Sequence, residues 1–248
     1  MSLRIAFDCD GVIADLDSAL AEIAIRLFGQ TPDTTAGAGG DDPAGSVTDA
    51  APAASDASAA TDGLTAEEEQ VEPARFRTLT RQQQHDLWAT VRQTDNFWES
   101  LRETEPGAVA RLAQLARERQ WEVIFITQRP SSGGESTQRQ TQRWLAAHGY
   151  DLPSVYVIKG SRGKVADALS LDIVVDDRPE NCLDVTLESR ARAVLVWSAD
   201  FVDVPQNAQR LGIEPVAGIG ACLDMLAATR PGNPGLLARL KQFIGAAR

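Results

Sequence analysis

The sequence predicts an α/β protein built on a parallel sheet with helices on both faces. Three observations predict it. Short apolar runs at residues 4–7 (RIAF), 123–126 (VIFI), 155–158 (VYVI), 173–175 (IVV) and 193–197 (AVLVW) have the character of strands buried on both sides. Stretches with helical periodicity separate them, which implies right-handed crossovers and a parallel arrangement. Three of the runs stop at polar residues: Asp8 and Asp10, then Thr127, then Asp176 and Asp177. In a parallel sheet these ends share one edge, the edge at which ligands bind.

The first run ends in Asp8-Cys9-Asp10-Gly11. Alternate residues of an extended segment point the same way, so Asp8 and Asp10 are expected to aim two carboxylates at one spot. Their repulsion there calls for a hard cation such as Mg²⁺. Alone, a D-x-D-G is equally a strand-end turn whose aspartates cap the next helix. Leu16, Leu20, Ile23 and Leu27 then recur at helical spacing, and the helix is expected to end near Gly29. From Thr31 to about Thr65 only Val47 and Leu64 are sizeable apolar side chains, too few to offset the entropy of ordering the segment. A disordered acidic insertion without catalytic role is expected at about 31–72.

Thr80 is placed to cap a helix carrying Leu87, Trp88 and Val91, read as a small helical unit separate from the sheet. Pro106-Gly107 opens another, with Val109, Leu112 and Leu115 or Ala116 on one face, leading into the strand that stops at Thr127. A polar loop (128–134), a helix ending at His148-Gly149 and the third strand follow. A short helix over 164–169 precedes the fourth strand, which delivers Asp176 and Asp177. A further helix leads to the fifth strand, and helical stretches at 218–228 and 236–246 form the tail.

At 248 residues and 43% hydrophobic content the chain can bury a sizeable core. No run approaches the ~18 apolar residues of a membrane span, and the chain enters its first strand without a basic and apolar leader, which favours the cytoplasm. Cys9, Cys182 and Cys222 have neither disulfide-framework nor zinc-site spacing and read as reduced thiols. The net charge is −11, but ten carboxylates lie between Leu27 and Ala74, where Lys and Arg are absent. The remainder is nearly neutral, so the overall charge says little about the ligand.

Carboxylates for a metal, with a hydroxyl (Thr127) and an ammonium (Lys164) for an anion, together describe a phosphate-processing site. The sequence resembles the haloacid dehalogenase superfamily in DCDGV (8–12), Thr127, Lys164 and VVDDRPEN (174–181). FWESLRETEPGAVARL (97–112), with DDRP, is similar to its 5′(3′)-deoxyribonucleotidase branch. The chain departs from that branch at Gln128, where a further small hydroxyl residue is usual, and in the acidic insertion.

The resemblance implies a Rossmann-like core of strand order 3-2-1-4-5, formed by residues 1–16 and 106–230. It implies a helical cap inserted after the first strand at 17–105, leaving 231–248 as a C-terminal helical tail. It implies a Mg²⁺-dependent phosphomonoesterase with Asp8 as the nucleophile that becomes an aspartyl phosphate. Asp10 would be general acid and then base, its backbone carbonyl a metal ligand. Asp176 would bind Mg²⁺ through its side chain, Asp177 through water, and Thr127 and Lys164 would hold the phosphoryl oxygens.

Lys159 competes with Lys164 for the lysine role, and Lys164 is preferred because it opens the helix before the fourth strand. Arg178 is left outside the catalytic set. The expected partner is a small phosphorylated substrate, not a nucleic acid polymer or a membrane. The narrower resemblance implies 5′-nucleotidase action on (deoxy)nucleoside monophosphates. Trp88, Phe97 and Trp98 are candidates for stacking on a base, against the alternative that they are core. A sugar phosphate or other small metabolite remains open as substrate, as does a non-catalytic regulatory or interaction protein on the same scaffold.

Overall fold

The computed structural model describes residues 2–29, 76, 78–197, 208 and 210–228. The expected insertion at 31–72 and the tail helix at 236–246 lie outside the described residues. Six parallel strands form one sheet in the order β3-β2-β1-β4-β5-β6. They are β1 (Arg4–Asp8), β2 (Glu122–Thr127), β3 (Ser154–Val157), β4 (Ile173–Asp176), β5 (Arg192–Val196) and β6 (Glu214–Val216). The first five follow the expected 3-2-1-4-5 order. The sixth, EPV, is too short and too poor in apolar residues to announce itself in the sequence.

Strand alternation sorts the core into two layers. Ile5 and Phe7, Val123 and Phe125, Ile173 and Val175, Val194 and Val196 point to one face. Ala6, Ile126, Val174, Ala193 and Leu195 point to the other. The first face is covered by α1 (Leu16–Phe28), α2 (Arg81–Gln93), α3 (Ala108–Arg119), α4 (Thr137–Ala147) and α7 (Ile219–Ala228), whose buried side chains share its cluster. The second is covered by α5 (Arg162–Ala168) and α6 (Pro179–Glu188).

Local chemistry ends these helices where the sequence expects. Gly29 closes α1 in the left-handed conformation, and Thr80 with Gln83 makes a reciprocal capping box for α2. Helix α5 begins at Arg162, two residues before the expected start, because Ser161 caps it by accepting from the Gly163 and Lys164 amides. Gly163 is required there: a Cβ would lie 2.2 Å from the Asp184 carbonyl oxygen of α6. The buried residues of α2 and of the 97–99 turn are not a separate unit. Leu87, Trp88, Val91, Phe97 and Trp98 are continuous with the core on the first sheet face. All three cysteines are free and buried. Among the described residues no helix is long and apolar enough to cross a membrane.

Candidate active site

Asp8 ends β1, one step beyond the Phe7–Val175 pair that sets the register with β4. The next residue of β4 is Asp176, so two carboxylates sit on adjacent strands, about 4.8 Å apart along the hydrogen-bonding direction. Both follow the alternation to the face covered by α5, and α5 answers with Arg162. Its Nη2 donates to Asp8 Oδ1 at 2.5 Å and its Nε to Asp176 Oδ2 at 3.3 Å. Arg162 is only 2% exposed, and its remaining nitrogen, Nη1, is buried without a hydrogen-bond acceptor. Such a donor is costly unless an acceptor arrives.

This geometry corrects the expected lysine. Lys164 is exposed on the outer side of α5, with its backbone amide taken by Ser161 Oγ, and Lys159 is also exposed. The basic residue at the carboxylates is Arg162. The available signal was Ser161: reading it as the helix cap places Arg162 at the first helical position, closest to the strand ends.

The two aspartates after β4 are placed the other way round from the expected direct and water-mediated contacts. Asp176 is fully buried and engaged, accepting from Arg162, from Asn181 Nδ2 at 2.9 and 3.1 Å, and from the Arg178 amide at 3.0 Å. Asp177 is the one that lines the cleft, together with Asp8, Asp10, Thr127, Gln128 and Arg178. Its carboxylate passes so close to Gly11 that a Cβ there would lie 2.0 Å from Oδ2, and Gly11 has φ +75°. Both facts call for glycine. Arg178, left out on sequence grounds, reaches the cleft rim.

Beyond Asp8 the chain is no longer extended. The Ile13 and Ala14 amides both donate to the Cys9 carbonyl, curling the loop, so Asp8 and Asp10 line one cleft but are held by different arginines. Asp10 is gripped by Arg129: Nε lies 2.8 Å from Oδ2 and 3.0 Å from Oδ1, and Nη2 lies 2.7 Å from Oδ1. Thr127 Oγ donates towards Asp10 Oδ2 at 3.5 Å and accepts from the Arg129 amide at 3.4 Å. Sequence reading noted the departure at Gln128 and passed over the arginine beside it, Arg129.

Burial pushes the Asp8 carboxyl well above the usual carboxylate range; Arg162 opposes the shift, while Asp176 and Asp10 add to it. Asp177 is pushed up the same way by burial, then by Asp176 and Asp8. Arg162 beside Asp8 and Arg178 near Asp177 oppose these shifts without cancelling them. Among the described residues no three or more His, Cys, Asp or Glu side chains form a ready-made metal cage. Two carboxylates and a backbone carbonyl, with water, is nevertheless a donor set that suits Mg²⁺, which keeps much of its hydration.

The aromatic candidates are not available to a ligand: Trp88, Phe97 and Trp98 are core, at most 4% exposed. Trp98 is pinned by Nε1 donation to the Pro130 carbonyl at 3.0 Å. A second cavity of about 420 Å³ adjoins the cleft, sharing Gly11, Leu16, Asp17 and Asp177 with it. Asp15, Glu105, Trp197 and Ile219 complete its distinctive walls, and no Lys or Arg of the described residues lines it.

No family model matches this chain, and no curated protein matches it significantly. Solved structures of similar shape include a candidate beta-phosphoglucomutase from Thermotoga maritima, 15% identical, TM-score 0.48, over 92% of this chain and 100% of its own. A hydrolase from Pseudomonas syringae is 13% identical, TM-score 0.49, over 93% and 100% of the two chains. A haloacid dehalogenase-like family hydrolase from Streptococcus pneumoniae is 10% identical, TM-score 0.45, over 91% and 98%.

Proposed function

We propose that the protein is a Mg²⁺-dependent phosphomonoesterase working through an aspartyl phosphate on Asp8. The observation that carries this reading is the buried Arg162, fixed against Asp8 and Asp176 with one guanidinium nitrogen still lacking an acceptor. A phosphoryl oxygen beside the Asp8 carboxylate would supply an acceptor for that one nitrogen in a charge-assisted hydrogen bond.

In this reading Asp8 attacks phosphorus as the ester P–O bond breaks, and Asp10 gives its proton to the departing oxygen. A water then attacks the aspartyl phosphate, Asp10 takes its proton, and Asp8 is regenerated as phosphate leaves. Arg162 and the Thr127 hydroxyl hold the phosphoryl oxygens as charge shifts between them. Asp176 positions Arg162. Mg²⁺ would be held by the Asp8 and Asp177 carboxylates and the Asp10 carbonyl, and would offset the repulsion between carboxylate and phosphate.

The adjoining cavity suits the leaving group. Its carboxylates, Asp15, Asp17 and Glu105, favour a neutral alcohol over one bearing a second phosphate. A sugar or other small metabolite fits this charge pattern. A nucleoside fits it too, but without aromatic stacking from Trp88, Phe97 or Trp98, which belong to the core. The test is release of phosphate from an aryl phosphate, dUMP, dTMP, sugar monophosphates and a sugar bisphosphate. Turnover of monophosphates, abolished by EDTA and by Asp8→Asn, with the bisphosphate poorest, is the expected result. Purified protein that turns over none of them would favour the non-catalytic alternative.

A further inference from the structure

We propose that Arg129 is a positioning residue for the reaction: it fixes the carboxylate of Asp10, and through Trp98 ties that carboxylate to the 97–99 turn. The inference rests on the phosphomonoesterase reading above.

Arg129 lies two residues beyond the end of β2, and its side chain is fully buried against a largely buried Asp10. Burial opposes the guanidinium charge, and the groups around it, Asp10 foremost among them, together outweigh that. Every part of the group is engaged. Nε and Nη2 grip Asp10, and Nη1 donates to Thr141 Oγ1 of α4 at 3.0 Å. The guanidinium carbon sits 4.8 Å from the centroid of a Trp98 ring. Trp98 is itself held by Pro130, and its amide donates to Gln140 Oε1 of α4 at 3.2 Å. The arginine therefore has no freedom to leave Asp10 for a ligand, which separates its task from that of Arg162.

The fork also distinguishes the two oxygens of Asp10. Oδ1 accepts from both Nε and Nη2, whereas Oδ2 accepts from Nε and, at 3.5 Å, from Thr127. Each oxygen meets two donors, but only Oδ2 meets the weak, turnable hydroxyl of Thr127 in place of a second guanidinium nitrogen, and it is the oxygen that exchanges protons. It gives one to the ester oxygen as the P–O bond breaks and the Asp8–P bond forms, and recovers one from the water that cleaves the aspartyl phosphate. A lysine keeps the charge but cannot grip both oxygens in one plane.

A double-mutant cycle on the full chain with Mg²⁺ tests this. Arg129→Met, Arg129→Lys, Asp10→Asn and Asp10→Asn/Arg129→Met are compared by kcat/KM for p-nitrophenyl phosphate, whose leaving group departs unprotonated, and for an alkyl monophosphate, whose leaving group needs the proton. Both arginine variants are expected to lose about 10²-fold on the alkyl substrate, the scale of one proton-transfer contribution, and far less on the aryl one. In the Asp10→Asn background Arg129→Met is expected to cost less than about 3-fold, because the residue acts through Asp10. The double variant also removes both charges together, so it remains informative if Arg129→Met alone does not fold.

Equal losses on the two substrates would overturn the inference. So would wild-type alkyl turnover by Arg129→Lys, or an undiminished effect of Arg129→Met in the Asp10→Asn background. Failure of the phosphomonoesterase reading is distinguishable, since the wild-type protein would then turn over neither substrate.

Discussion

Replacing Arg162 with Met removes the one cation shared by two buried carboxylates. Asp8 loses its 2.5 Å partner and Asp176 its 3.3 Å partner, while both carboxylates stay buried. Removing one member of a buried ion pair typically costs about 3–5 kcal/mol, a large part of the ~5–15 kcal/mol that stabilises a domain. The cost should depend on pH, with a sign that follows from Asp8. Burial already raises its folded pKa, and Arg162 is the leading influence holding the shift down. Without Arg162 the folded state prefers the protonated form more strongly than the unfolded chain does. Stability then falls as pH rises from about 4, the unfolded value, through the raised folded value. Urea unfolding in EDTA at pH 5 and pH 7.5 measures this. The variant should lose about 3–5 kcal/mol at pH 7.5 and less at pH 5. A loss below about 1 kcal/mol, equal at both pH values, would refute the reasoning that Arg162 is the charge partner of this cleft.

Gly11→Ala should strain the backbone by about 1–2 kcal/mol, since φ is +75°, and displace Asp177, whose Oδ2 would lie 2.0 Å from the new Cβ. Weaker Mg²⁺ binding by titration calorimetry, beyond any change in Tm, is the expected sign. Lys164→Ala should leave activity unchanged and stability within about 0.5 kcal/mol, because the side chain is exposed. A loss of turnover would return the lysine role to it. In the wild-type protein without metal, the raised Asp8 and Asp177 pKa values make stability decline as pH rises above about 4. Added Mg²⁺ should flatten that decline in thermal unfolding scans, and an unchanged slope would count against the proposed donors.

The architecture was largely legible because buried parallel strands leave uninterrupted apolar runs, and because Thr80 and Gly29 mark helix ends by local chemistry. The edge strand β6 was not, since Glu214-Pro215-Val216 pairs, among the described residues, only with β5 and needs no apolar run. That Asp8, Asp10 and Thr127 share one cleft was legible because strand ends are visible in sequence. Arg162 and Arg129 were missed for a common reason: their contacts with the carboxylates come from side-chain reach across elements, from α5 to β1 and β4 and from the end of β2 to the loop after β1. Spacing along the chain carries no such information. The Asp176–Asp177 order was likewise decided by Asn181 and the Arg178 amide, which capture the first carboxylate and leave the second to the cleft. Trp98 was open in sequence between a ligand platform and a core residue; it is core, its indole spent on Pro130 and Arg129.

The central claim is that Asp8 forms a covalent phosphoryl intermediate. Rapid acid quench of the protein during turnover of a ³²P-labelled monophosphate, followed by peptide mapping, tests it most directly. The account predicts acid-stable, hydroxylamine-labile label on the peptide containing Asp8, absent from Asp8→Asn. Full turnover by Asp8→Asn, or label on any other residue with Asp8 unmodified, would contradict it.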